Sequence, residues 1–290
     1  MNPNFALRRL ADRVQPDEAE MLWVRDHFAT LERRVVKAFP RSRLVPIGSY
    51  RRGTAIAVHS NVDTLAVLPQ EWATWGARRV SPQMIIQRLV QDLGDEHCTA
   101  GIRRDGRAVE LSFRGVLHTL DVIPGFSMRR SNHHPVYSVP GADLRWVEVS
   151  PHCHDMLFSQ ANRRSGGKLR AISRLIKTWG VVVAPPAGIS SLYIDMMLAT
   201  SGIASGVKSY SDCLNEFLNV LVRREVHGLS DPAGGSGVIL ASSSIGARQR
   251  LGDSVKAAAD QAQAALDAQT RRENASARRQ WKALFKRKLW

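Results

Sequence analysis

Cysteine is scarce in this chain of 290 residues. Cys98, Cys153 and Cys213 are scattered and odd in number, which excludes a disulfide framework and points to a reducing compartment. Long apolar runs are missing too: none approaches the ~20 residues that a membrane span needs. The stretch from Met1 to Phe39 is studded with charge and holds no apolar segment of the secretory kind. These absences read as a cytoplasmic protein with no membrane partner. Acidic residues are the third shortage, 26 Asp and Glu against 41 Lys and Arg, for a net charge of +15. A surplus of that size implies a polyanionic partner such as nucleic acid or triphosphates, with solubility alone as the plain alternative. From Gly246 to Trp290 eleven basic residues face four acidic ones, a local excess of +7.

What is present divides at about residue 145. Pro16 to Phe39 carries Met21, Val24, Phe28, Leu31, Val35 and Phe39 at spacings of three and four, which predicts a helix. Leu44–Ile47 and Asp63–Pro69 read as strands, the second apolar nearly throughout and therefore central in a sheet. Ser81–Leu93 reads as a helix with Pro82 in its first turn. Ala108–Phe113 and Val116–Ile123 read as a hairpin turning at Arg114-Gly115, and Ser127–Asp143 as a loop. Helical patterning dominates afterwards, over Gly167–Trp179, Ser190–Thr200, Ser211–Arg224 and Asp253–Leu289. The expected architecture is α+β: a mixed sheet with helices over residues 1–145, then an all-helical lobe over 146–290. The cleft between two such lobes is the default ligand site.

The chemistry-bearing residues gather in the first half. A strand runs into Gly48-Ser49, and Gly53-Thr54 follows four residues later. Backbone N–H groups and a hydroxyl in that setting suit phosphate oxygens. Asn61-Val62-Asp63 then stands on the lip of the second strand, where alternate residues project side by side. Asp121 lies among Leu120, Val122 and Ile123, an expensive place for a carboxylate unless it is paired or binds a metal.

Gly-Ser, Gly-Thr, a polar-X-acid strand and a distal strand Asp together resemble the polymerase-β superfamily of nucleotidyltransferases. The chain is most similar to the bacterial relatives of cyclic GMP-AMP synthases and oligoadenylate synthases, which make cyclic or linear oligonucleotide signals in anti-phage defence. The likeness runs from about Val14 to Leu266. It implies two magnesium ions, with manganese as an alternative, held by Asp63 and Asp121 and bridged by position 61 when that residue is acidic. It implies phosphate contacts from Gly48, Ser49, Lys168, Lys177 and Ser191. Lys168 and Lys177 stand nine residues apart, on nearly opposite helix faces, so only one of them, Lys177 by preference, looks into a cleft directly. Ser191 has a plainer reading as a helix N-cap.

Two positions depart from the family pattern. Asn61 stands where the first metal-binding acid belongs. At an effective dielectric of ~20 a unit charge at ~4 Å is worth about 4 kcal/mol, so an amide there weakens metal binding and turnover. A natural pseudoenzyme, an introduced substitution that traps substrates, and slow activity rescued by Glu110 are the readings left open. Leu192 stands where many relatives stack a nucleobase on an aromatic ring, and Tyr193 points elsewhere on the helix. Outside this pattern, His133, His134, His152, Cys153 and His154 fit no standard zinc spacing and read as a surface loop and helix start. The basic segment Arg271–Trp290 reads as a helix docked through Trp281, Phe285, Leu289 and Trp290, or else as an RNA or DNA contact. The functional expectation is a nucleotidyltransferase that joins nucleoside triphosphates into a messenger; a silent nucleotide- or RNA-binding module and an RNA-tailing enzyme are the alternatives.

Overall fold

The computed structural model describes residues 2–76, 78–94, 101–113, 118–131, 134–183, 188–235 and 237–285. The chain forms two compact units, one of Pro16–Asp155 with Ala233–Ser236, the other of Met1–Gln15, Met156–Pro232 and Gly237–Trp290.

In the order of the chain the helices are α1 (Pro3–Arg13), α2 (Glu18–Ala38), α3 (Gly48–Arg52), α4 (Pro82–Gly94), α5 (Pro151–Arg164), α6 (Lys168–Val183), α7 (Ser191–Ser201), α8 (Tyr210–Arg223), α9 (Ile245–Thr270) and α10 (Asn274–Leu284). The strands are β1 (Arg43–Pro46), β2 (Val62–Leu68), β3 (Thr74–Trp75), β4 (Arg78–Arg79), β5 (Gly101–Asp105), β6 (Ala108–Ser112), β7 (Thr119–Ser131), β8 (His134–Pro140), β9 (Trp146–Val149), β10 (Leu229–Ser230) and β11 (Val238–Ile239).

The sheet unit is built around β2 and β7. Its order is β1-β2-β7-β6-β5, and β8 pairs with the far half of β7 and then with β9. The β2–β7 pairing is parallel and the rest are antiparallel. Apolar side chains on both faces make β2 a central strand. Val62, Ala66 and Leu68 pack under α2 and α4 with Leu31, Val35 and Leu89. Leu65 and Val67 point the other way, into a smaller cluster with Ile123, Tyr137 and Val139.

Ser127–Asp143, expected as a loop, instead contains the end of β7, all of β8 and a turn. Its Ser, His and Pro content misleads because the two prolines of β8, Pro135 and Pro140, stand second and last in the strand and leave its middle free to pair. A register shift between Ser127 and Arg130 bends the pair. Residues 114–117, the expected hairpin turn, lie outside the described residues.

The other unit is helical, with one core drawn from α1, α6, α7, α8, α9 and α10. The single expected helix over Asp253–Leu289 is two. The chain reverses at Arg272, whose φ is +60°, and Glu273 N–H reaches back to the Ala268 carbonyl at 2.8 Å. Neither Gly nor Pro marks this break, so the pattern hides it. Alanines 258, 262 and 265 are buried along α9, where small side chains let neighbouring helices come close. No helix among the described residues is long and apolar enough to cross a membrane.

Candidate active site

Backbone geometry brings the sheet unit's site residues together. β1 leads into Ile47, whose N–H bonds the Asp63 carbonyl at 3.0 Å. Gly48 follows with φ +76°, and a Cβ there would overlap Asp63 Oδ2 and stand 2.8 Å from Asp63 Cγ. Only glycine tolerates both the dihedral and the approach. The Gly48 main chain therefore lies directly against the Asp63 side chain, with Ser49 buried next to it. Gly53, at φ +71°, ends α3. Thr54 is fully buried and its hydroxyl lies 3.5 Å from the Ser49 carbonyl, so it fastens this turn.

The acids are aligned by register. Asp63 on β2 stands beside Asp121 on β7, and Glu110 on β6 stands across from Asp121 on its other side. Partners in register share a face, so Asp63, Asp121 and Glu110 form one row. Thr64 Oγ1 donates to the Asp121 carbonyl at 3.0 Å, which fixes the backbone between the two strands. Asn61 precedes β2, is exposed, and gives its Nδ2–H to Asp121 Oδ2 at 3.1 Å. It thus reaches Asp121 directly.

Asp63 and Asp121 have the chemistry for a hard divalent cation that takes its remaining ligands from phosphate oxygens and water. Asn61 adds a neutral amide rather than a third charge. Among the described residues no three His, Cys, Asp or Glu side chains form a metal-holding group.

Arg51 and Arg52 were not singled out from the sequence, yet both reach Asp155, at 3.8 and 3.3 Å. Burial pushes the Asp155 carboxyl up from its ordinary value, and the Arg52 charge pulls against that. Their signal was present in the motif, since two arginines follow Ser49 and Tyr50 directly.

The remaining expected residues lie in the helical unit. Lys177 is buried and pairs with Asp195 at 3.0 Å. Ser173, one turn before it on α6, donates to the other Asp195 oxygen at 2.6 Å. Lys168 Nζ donates to the carbonyls of Gly206 and Lys208 at 3.1 and 2.8 Å. The N-cap of α7 is Ser190, whose side chain accepts from Tyr193 N–H, which leaves Ser191 as the exposed first residue of that helix. Tyr193 is fully buried and its hydroxyl donates to the His227 carbonyl at 3.0 Å, so it does point away as the helix spacing implied. In the sheet unit the His134 and His152 rings lie 5.1 Å apart, and among the described residues no group of three possible metal ligands forms; His133 is outside the described residues.

No protein-family model and no curated protein sequence matches the chain. Solved structures do. The chain is similar to CdnC from E. coli MS115-1, solved with ATP, at a TM-score of 0.75 over 98% of both chains and 17% identity. It is similar to the CD-NTase CdnG of Bradyrhizobium diazoefficiens, solved with GTP, at a TM-score of 0.73 over 98% of both chains and 12% identity. The chain has the CD-NTase fold. The CdnE cyclic dinucleotide synthase of Elizabethkingia meningoseptica, with GTP and Apcpp, shares it at a TM-score of 0.59, 14% identity and 80% and 89% coverage of the two chains. The α+β expectation holds.

Proposed function

We propose that the chain is a nucleotidyltransferase that joins nucleoside triphosphates into a cyclic or short oligonucleotide messenger, weakened or silenced by Asn61. The reading rests on one observation: the β2–β7 register sets Asp63 beside Asp121 while Gly48 packs on Asp63. That puts a turn suited to phosphate against a pair of carboxylates suited to metal. The nucleotides in the structures of similar fold, and the synthase activity in the name of one of them, add to it.

Asp63 and Asp121 would hold magnesium, which when bound would make an attacking hydroxyl more acidic and neutralise charge on the leaving pyrophosphate. The Gly48 backbone and Ser49 would orient the phosphates. Ser191, exposed at the start of α7, would be a further phosphate contact. Lys177 would reach a phosphate only by leaving Asp195, and Lys168 only by leaving two carbonyls. Asn61 favours a second reading, a nucleotide-binding module without turnover, because its amide already occupies one Asp121 oxygen.

Titration calorimetry with each nucleoside triphosphate and Mg²⁺, together with product analysis by mass spectrometry, tests both. The chain is expected to bind a triphosphate with a Kd near 1 μM, about −8 kcal/mol, and to form little product. Asn61→Asp is expected to raise product formation by orders of magnitude. Binding without any gain from Asn61→Asp would favour the silent module. No binding at millimolar nucleotide would end both readings.

A further inference from the structure

Beneath the site lies a polar cluster that the proposed chemistry does not use. Glu20 stands in the first turn of α2, its N–H held by the Asp17 cap at 2.8 Å. Its side chain is only 8% exposed, a costly place for a carboxylate without partners. Two groups meet one of its oxygens. The Tyr50 hydroxyl donates to Glu20 Oε1, and His118 Nδ1 lies 3.6 Å from the same atom. The Tyr50 oxygen also lies 3.5 Å from the Ser60 carbonyl. Trp23, one turn along α2, covers the His118 ring at 5.4 Å.

Each partner belongs to a segment that carries the site. Tyr50 is next to Ser49 on α3. Ser60 immediately precedes Asn61. His118 immediately precedes β7, three residues before Asp121. A single carboxylate on α2 thus accepts from Tyr50 on the phosphate turn, whose oxygen also meets the approach to β2, and stands beside the His118 ring at the approach to β7. Burial and the neighbouring Glu20 push the Tyr50 phenol well above its ordinary value, so it stays protonated and keeps donating.

We propose that Glu20 is a positioning residue for triphosphate binding, acting through Tyr50 and His118 to set the Gly48-Ser49 turn against the acids that follow Ser60 and His118. The proposal rests on the reading of that turn as the phosphate site. The spacing involved is tight, because the Gly48 main chain touches Asp63. A small tilt of α3 therefore moves the backbone donors relative to both carboxylates.

The test uses the full chain and Tyr50→Phe, Glu20→Gln and their combination. ATP and GTP binding with Mg²⁺ is measured by calorimetry, amide exchange is followed at residues 48–54, and thermal midpoints are recorded. Tyr50→Phe is expected to weaken binding about tenfold, as loss of a hydrogen bond to a charged group does, with faster exchange at 48–54. Glu20→Gln keeps an acceptor for the phenol, so its loss is expected to be smaller, and the double variant to be no worse than Tyr50→Phe alone. Lower midpoints with affinity within about twofold of the original in both single variants would reduce the cluster to a structural role and overturn the proposal. If Tyr50→Phe does not fold, Glu20→Gln and its exchange profile carry the test. If the unaltered chain binds no triphosphate, the phosphate reading falls and with it the role in binding. Unchanged exchange at 48–54 in the variants would then show that the cluster does not hold the turn either.

Discussion

Gly48 shows how much a single residue decides here. Its positive φ and its contact with Asp63 are separate demands, and a methyl group offends both. Relaxing the overlap means moving either the α3 turn or the Asp63 carboxylate, and each is part of the proposed site. Gly48→Ala is therefore expected to destabilise the chain by about 1–3 kcal/mol, as overpacking does, and to weaken triphosphate binding more than tenfold. Thermal unfolding and calorimetry measure the two effects. Full affinity in a folded Gly48→Ala protein would show that the turn does not hold phosphate. At this scale the sequence was informative. Asp121 stood out as a lone acid in an apolar strand, and Asn61 and Asp63 by their alternation. Glu20 and His118 gave no such signal, because their meeting depends on α2 lying along the sheet, nearly 100 residues away in the chain.

Between elements, α6 and α7 are joined by Lys177, Ser173 and Asp195. Lys177 was expected to face a nucleotide, and the spacing of four between Ser173 and Lys177 could have revealed that both share one helix face. What no spacing reveals is the partner: Asp195 lies on the next helix, and nothing in an apolar stretch tells which helix face it will meet. A buried charge left alone is costly, so Asp195→Ala is expected to cost about 3–5 kcal/mol. Lys177→Met with Asp195→Leu, which removes both charges, is expected to recover most of that loss, as read by denaturant midpoints. A small loss in Asp195→Ala would mean that Lys177 readily leaves the pair, which would strengthen its proposed role at phosphate. Similar physics explains the other elements that the sequence misplaced. β8 looked like a loop since its prolines and its serine were weighed without its neighbours, and the α9–α10 break looked continuous since Arg272 carries the positive φ that glycine usually signals.

For the molecule as a whole the dominant feature is a net charge of +15. The basic C-terminal segment supplies part of that charge, and α10 is docked on its apolar side. Trp281 and Phe285 are fully buried and Leu284 nearly so, and the Trp281 indole N–H donates to Gln269 Oε1 at 2.9 Å. Leu289 and Trp290, the other expected anchors, lie outside the described residues. With its aromatics committed to the core, α10 has lost the stacking surface that single-stranded nucleic acid would need, and only its outward charge is left. Phosphate contacts release counterions, so six of them would give a slope of log K on log [salt] of about −4 to −5. The docked helix predicts weak binding to an RNA homopolymer, a shallow slope, and little change on Arg279→Glu with Lys282→Glu. It also predicts that Trp281→Ala costs about 3–5 kcal/mol, as loss of a buried aromatic does, while triphosphate binding by the folded fraction persists. Fluorescence titrations over a salt series and thermal unfolding measure both. Tight RNA binding with a steep slope that the two reversals flatten would return the segment to a nucleic-acid role beside the proposed triphosphate site.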